Sequence, residues 1–244
     1  MKQRYLAIFR LGWKAWNSWR AGTGYKYVGD STVQVDLSDC QLQEADLRFF
    51  DLGSANLRGA DLSYADLREA DLSGADLRDA VLHGARLNKA KLRRVDLSER
   101  NMSGVSLQEA DLSYADLSGM NLRRAGLWWA KLYEAKLANA DLHAAFLSGT
   151  DLRRADLRGA DLSGALLNDA NLGQANLEGA KLTSANLKNA DLREANLEDA
   201  DLQDANLQGA DLRGARFNWV YLYDAMLRGL DLSDVRIDGS LFPL

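Results

Sequence analysis

Ala60-Asp61-Leu62-Ser63-Tyr64 is followed directly by Ala65-Asp66-Leu67-Arg68-Glu69 and then by Ala70-Asp71-Leu72-Ser73-Gly74. Working outward from this stretch, a large apolar residue recurs every five residues from position 37 to position 242 without one insertion. That makes 42 repeats, of which 38 are centred on Leu and the others on Met102, Phe217, Ile237 and Phe242. Two residues before the centre, 30 of the 42 are Ala, and the residue between them is mostly Asp or Asn. The unit therefore reads Ala-(Asp/Asn)-Leu-x-x.

This period excludes the two ordinary regular structures. On an α-helix, five steps of about 100° turn each Leu by about 140° from the last and smear the apolar residues around the cylinder. On a straight strand, five steps of about 180° put successive Leu residues on opposite faces. The chain must instead turn once per unit. Ala and Leu then point inward, the Asp or Asn between them points outward, and the last two residues make a corner. Glycine tests this assignment, because a tight turn of type II needs positive φ at its second central residue. Of the 16 glycines from position 35 onward, 13 occupy that corner position, among them Gly59, Gly84 and Gly159. Four corners close a square coil of twenty residues, so the repeats predict about 10.5 coils stacked at about 4.8 Å, a rod roughly 50 Å long.

These units resemble those of the pentapeptide-repeat proteins, and the resemblance covers residues 35 to 244. It implies an all-β solenoid, a right-handed quadrilateral β-helix with Leu and the preceding small residue filling the interior. Each buried Leu contributes on the order of 2 kcal/mol, and stacked coils satisfy one another's backbone groups.

Residues 1 to 34 stand apart as a basic, Trp-rich helix and linker. Leu6, Phe9, Trp13 and Trp16 follow at helical spacing within a segment from 4 to 20. The expected role is a capping α-helix that lays this stripe on the exposed first coil, since solenoid ends need cover. The competing reading is a basic helix lying on an anionic membrane surface, a peripheral contact that is not favoured. Trp16-Asn17-Ser18-Trp19-Arg20 resembles a Trp-Asn-x-Trp-Arg element preceding the repeats in some members of the family, which supports capping.

Chemistry is sparse. Cys40 is the one cysteine and Pro243 the one proline, which excludes a disulfide scaffold and a Cys-based zinc cluster. His83 and His143 fall three coils apart, about 14 Å, too far to share a metal. No phosphate-binding Gly loop, dinucleotide fingerprint or base-activated Ser is recognisable. The chain is expected to be non-enzymatic, with no cofactor or metal. Net charge is -5 with a pI near 5.2, which argues against direct nucleic-acid binding. No apolar run approaches the roughly 20 residues needed to span a bilayer, and no secretory signal is recognisable, so the expected location is cytoplasmic.

Within the coils the small interior position is broken by Phe50, Arg100, Met120, Thr150 and Leu230, and Val95, Met102 and Val105 make the neighbourhood of Arg100 the least regular. A buried, unpaired guanidinium is very costly, so a local bulge carrying Arg100 to solvent is expected. Asp191, Asp211 and Asp231 recur on one outward column and read as solvated carboxylates.

The leading functional expectation is a protein-protein interaction scaffold with an unidentified partner. Folding the register into coils stacks positions 106, 126, 146 and 166, where Ser106, Gly126, Phe146 and Leu166 replace the usual Asp or Asn. Trp128 and Trp129 sit at the adjacent corner, and Tyr133 lies just around it. Neighbouring aromatics on a rigid surface have the composition of an interface hot spot. At the C-terminal end, Trp219, Tyr221, Tyr223, Leu241 and Phe242 replace polar residues and suggest a homodimer through the terminal coils. The alternative function comes from the resemblance: some pentapeptide-repeat proteins imitate duplex DNA and occupy topoisomerases such as gyrase. Against it, DNA carries one charge per roughly 1.7 Å, whereas residues 35 to 244, net -10 because residues 1 to 34 carry +5 within the chain's -5, spread this over roughly 50 Å of rod, about one per 5 Å.

Overall fold

The computed structural model describes residues 8, 11 to 22 and 35 to 218, and the backbone of 236 to 238. Between residues 36 and 216 the position between Ala and Leu forms parallel bridges with its equivalent twenty residues later, from Asp36↔Asn56 to Asn196↔Arg216. The short strands β1 (Arg216–Asn218) and β2 (Arg236–Asp238) pair in parallel at the same offset. Four columns of bridges, begun by Asp36, Gln41, Asp46 and Asp51, form four walls, here termed first to fourth.

One repeat shows why the pattern folds this way. The Asp61 N–H donates down to Cys40 O at 3.0 Å, the Leu62 and Tyr64 N–H groups donate up to Val81 O and His83 O, both at 2.8 Å, and Ala65 N–H closes the corner onto Leu62 O at 3.0 Å. Only the first corner residue, Ser63, has no backbone acceptor. Its N–H donates instead to Asp61 Oδ1 at 2.9 Å. The carboxylate or amide two residues back fills the same role at Ser73, Arg123, Gly173 and Gln203. This explains the preference for Asp or Asn before Leu: a short side-chain oxygen satisfies the one backbone donor that stacking leaves over. The interior is a continuous column in which Leu62, Leu67, Ala60 and Ala65 are fully buried. Gly84 sits at φ 67° as the corner requires, but other corners hold larger residues at positive φ, Tyr64 at 58° and Trp129 at 60° among them.

Helix α1 (Trp13–Gly22) lies against the first coil. The expected helical stripe is not one helix, because Gly12 adopts φ +84° and α1 begins after it. A left-handed residue cannot continue a right-handed helix. Trp16 is fully buried and packs on Phe50 with ring centroids 6.0 Å apart, whereas Trp13 is 40% exposed and meets Phe49 at 5.4 Å. Leu6 and Phe9 lie outside the described residues. Three side chains of α1 bond to the edge of the fourth wall. Trp16 Nε1 donates to Asp51 O at 2.6 Å and Arg20 Nη2 to Gly53 O at 2.6 Å. Asn17 donates to Phe49 O at 2.7 Å and accepts from Asp51 N–H at 2.8 Å. Asp51 N–H, Asp51 O and Gly53 O occupy positions that pair with the adjoining coil in the regular repeats.

The ladder has one interruption in the interior of the rod. The bridges Asp76↔Asp96 and Val81↔Asn101 are missing from otherwise continuous columns. Leu77, Asp79, Leu82 and Gly84 donate no backbone hydrogen bond to the coil above, and Asp96, Asn101 and Ser106 donate none to the coil below. On the fourth wall the same two coils remain joined, with Asp111 N–H on Ala90 O at 2.9 Å and Leu92 N–H on Asp111 O at 2.7 Å. The coils part along two walls and hinge on the others. The cause lies in three successive small positions, where Val95, Arg100 and Val105 replace Ala. Larger side chains cannot enter an interior already filled to normal density without displacing backbone. Arg100 does not extend to open solvent as expected. It is half-buried, and its guanidinium donates to Ala80 O at 2.9 Å and Leu77 O at 2.6 Å.

Candidate functional site

The expected outward column exists as a ladder: Ser106, Gly126, Phe146 and Leu166 bridge in succession on the third wall. Missing side-chain bulk at Gly126 shapes the surface. Trp128 folds back over it, so close that a Cβ at Gly126 would lie 2.6 Å from the ring. That places Trp128 against Phe146, stacked at 4.6 Å and 24°. Trp129 turns the other way, over Gly149 of the next coil, and remains 63% exposed. Leu166 is 37% exposed on the rung above Phe146. Trp128, Trp129, Phe146 and Leu166 thus occupy one wall and its corner, above a core in which Leu127, Leu147 and Leu167 are fully buried.

Tyr133 does not join that group. It stands at the corner between the fourth and first walls, edge-on to Tyr114 at 5.6 Å, with the Arg153 guanidinium 5.6 Å from its ring. A hydrogen bond to Glu134, followed by burial, raises its phenol pKa above the ordinary value. Arg93 and Arg94 flank Tyr114 at 5.6 and 5.5 Å. Tyr114 was not singled out from the sequence, although its offset of nineteen residues from Tyr133 marks adjacent corner positions on successive coils. Above this cluster Gly173 leaves a groove of about 370 Å³ lined by Tyr133, Arg153, Arg154, Gln174, Arg193 and Glu194. Its polar groups satisfy one another: Arg154 Nε donates to Gln174 Oε1, and Gln174 Nε2 to Glu194 Oε2, both at 2.8 Å.

Arginines two residues after Asp dominate the wall electrostatics. Arg78 donates Nε and Nη2 to the two carboxylate oxygens of Asp76 at 2.9 and 2.6 Å. The same fork joins Arg48 to Asp46, Arg68 to Asp66, Arg153 to Asp151, Arg158 to Asp156, Arg193 to Asp191 and Arg213 to Asp211. Hydrogen bonding from Arg78 is the main cause that holds Asp76 down at about 2. Asp191 and Asp211 are lowered by their own arginines in the same way, so these two stacked carboxylates are paired, while Asp231 lies outside the described residues. Among the described residues, no three His, Cys, Asp or Glu side chains converge as metal ligands, and no helix is long and apolar enough to cross a membrane. His83 meets Tyr64 edge-on at 5.3 Å, and His143 is half-buried at a distant corner. Trp219, Tyr221, Tyr223, Leu241 and Phe242 lie outside the described residues.

The chain matches the Pentapeptide repeats family in eight copies, over residues 36–74, 60–99, 101–139, 135–174, 160–199 and 200–239. Among solved structures it is similar to HetL, a pentapeptide repeat protein involved in heterocyst differentiation regulation from the cyanobacterium Nostoc sp. strain PCC 7120. Identity is 37% over 88% of this chain and 93% of that one, with a TM-score of 0.32. A pentapeptide repeat protein from the Arabidopsis thaliana thylakoid lumen is 35% identical over 44% of this chain and 71% of its own, with a TM-score of 0.31. QnrB1, a plasmid-mediated fluoroquinolone resistance protein, is 18% identical over 75% of this chain and 92% of its own, with a TM-score of 0.43. No curated protein matches the chain. Proteins built from these repeats fold as right-handed quadrilateral β-helices and are generally structural or interaction proteins, and with its five-residue register, twenty-residue coils and family match over most of its length, this chain belongs to the pentapeptide repeat family.

Proposed function

We propose that the chain is a non-enzymatic protein-binding scaffold whose partner docks on the third wall, over Trp128, Trp129, Phe146 and Leu166, with Tyr133, on a different corner, outside the contact. The observation that carries this reading is the exposure of Trp129 beside the stacked pair of Trp128 and Phe146, the last of which stands where the repeat otherwise places Asp or Asn. Rigid aromatics lose little entropy on contact and dominate interface energies. Imitation of DNA is disfavoured, because bidentate arginines neutralise Asp46, Asp66, Asp76, Asp151, Asp156, Asp191 and Asp211 within their own repeats.

In this reading residues 1 to 34 form the cap of a solenoid that runs from 35 to 244. Trp16, Asn17 and Arg20 stand in for the coil that the fourth wall lacks, which favours capping over membrane contact for this helix. The pairing of β1 with β2 supports continuation of the register beyond 218, toward the 10.5 coils that the repeats predict. A homodimer through Trp219, Tyr221, Tyr223, Leu241 and Phe242 completes the proposal. Sedimentation velocity at about 100 μM is expected to show a dimer, and a strict monomer would contradict that element alone.

Photo-crosslinking in the native host tests the docking wall. A benzoylphenylalanine in place of Trp129 is expected to give one discrete adduct, while the same probe at Glu178, on an opposite corner, gives none. Equal labelling from both positions would refute the wall assignment.

A further inference from the structure

We infer that the interruption between the coils at residues 75–86 and 95–106 is an acceptor site for an extended segment of another polypeptide, which adds a strand between the parted walls. The second wall there opens into a cleft of about 400 Å³, lined by Leu82, His83, Ala85 and Arg86 on one lip and by Asn101, Met102, Ser103 and Val105 on the other. Both lips are strand edges without a neighbour. The lower presents the N–H groups of Leu82 and Gly84, and the upper the carbonyls of Asn101 and Ser103, groups that pair across coils in the regular repeats. Main-chain groups of this kind recognise another main chain, as in strand addition to an exposed sheet edge. A side chain or a small ligand cannot supply donors and acceptors at strand spacing along both lips.

Three features define the occupant. The cleft ends at the corner where Arg100 bridges to Leu77 O and Ala80 O, so the guanidinium holds the lips apart without filling the second wall. Leu82, Ala85 and Met102 are 5 to 7% exposed where Leu62, Ala65 and Leu122 are at 0%, so the floor offers apolar surface to an inward side chain. At the far end Arg86 is exposed and has no ion pair among the described residues, unlike Arg48, Arg68 and Arg78. The chemistry that fits is an extended, β-prone segment of about five residues, with alternating apolar side chains facing the floor and a carboxylate at the Arg86 end.

Hydrogen exchange on the full chain, with and without the peptide acetyl-Thr-Val-Thr-Val-Glu-amide, tests this site. In the free protein the amides of Leu82 and Gly84 are expected to exchange at least 100-fold faster than those of Leu62 and Leu122, and to slow at least tenfold with peptide at millimolar concentration. A peptide N-methylated at alternate amides is expected to bind at least tenfold more weakly, and Arg86→Glu to weaken the unmodified peptide about fivefold. The variant Val95→Ala, Arg100→Ala, Val105→Ala restores the small interior positions. It is expected to close the ladder, protect Leu82 and Gly84 without ligand, and bind no peptide. Slow exchange at Leu82 and Gly84 in the free wild type, equal binding of the N-methylated peptide, or no protection at millimolar peptide would each overturn the assignment.

Discussion

Trp16→Ala is expected to lower the stability of the solenoid's first coil by about 3–5 kcal/mol, the usual range for deleting a fully buried aromatic side chain. Trp16 has no exposed surface, its ring covers Phe50, and its Nε1 donates to Asp51 O at 2.6 Å. Phe50 is itself large for a small interior position, and the Trp16 ring of α1 packs against it. Removing the indole therefore exposes apolar surface and orphans a carbonyl in one step. In a solenoid whose coils contact only their neighbours, that loss appears first as local opening. Amides of the first coil, Leu37 and Leu42 among them, are expected to exchange about 100-fold faster or more, while those near Leu137 stay unchanged. Asn17→Ala, which leaves Asp51 N–H and Phe49 O without their side-chain partner, is expected to act in the same direction by about 1–3 kcal/mol. Unchanged exchange at Leu37 and Leu42 in Trp16→Ala would mean that the helix rests on the coil without holding it.

The coil architecture was legible because each repeat repeats the same local solution. Leu and Ala must share a face, the residue between them must point out, and a corner must follow, so an uninterrupted period of five admits one closed path. The stacking of Phe146 under Leu166 follows from that period directly. Corner side chains were not legible, because a corner residue can lean over its own coil or the next. Gly126 draws Trp128 back over its own wall and Gly149 accepts Trp129 from below, whereas Tyr133 turns to Tyr114 and Arg153. Arg100 was visible as a break, but its direction was not. A guanidinium is satisfied equally by water or by backbone carbonyls, and only the parted coils put Leu77 O and Ala80 O within its reach. Gly12 hid a different fact: the spacing of Leu6, Phe9, Trp13 and Trp16 suits one helix, yet a residue at φ +84° stands in its path.

The triple variant Trp128→Ala, Trp129→Ala, Phe146→Asp separates the wall from the rod beneath it. Leu127, Leu147 and Leu167 keep the interior closed, and the backbone ladder through Gly126 and Phe146 does not depend on the outward side chains. The stacked pair contributes about 0.5–1.5 kcal/mol to the fold, little beside the interior Leu column. At an interface the same rings are expected to contribute about 2–4 kcal/mol each, so their joint loss weakens binding by at least 100-fold. The deciding measurement is affinity capture from the native host, comparing the wild type with the triple variant under matched loading and matched circular dichroism spectra. The account predicts that a protein retained by the wild type is absent from the variant; retention of that protein at equal yield by a folded triple variant would contradict it.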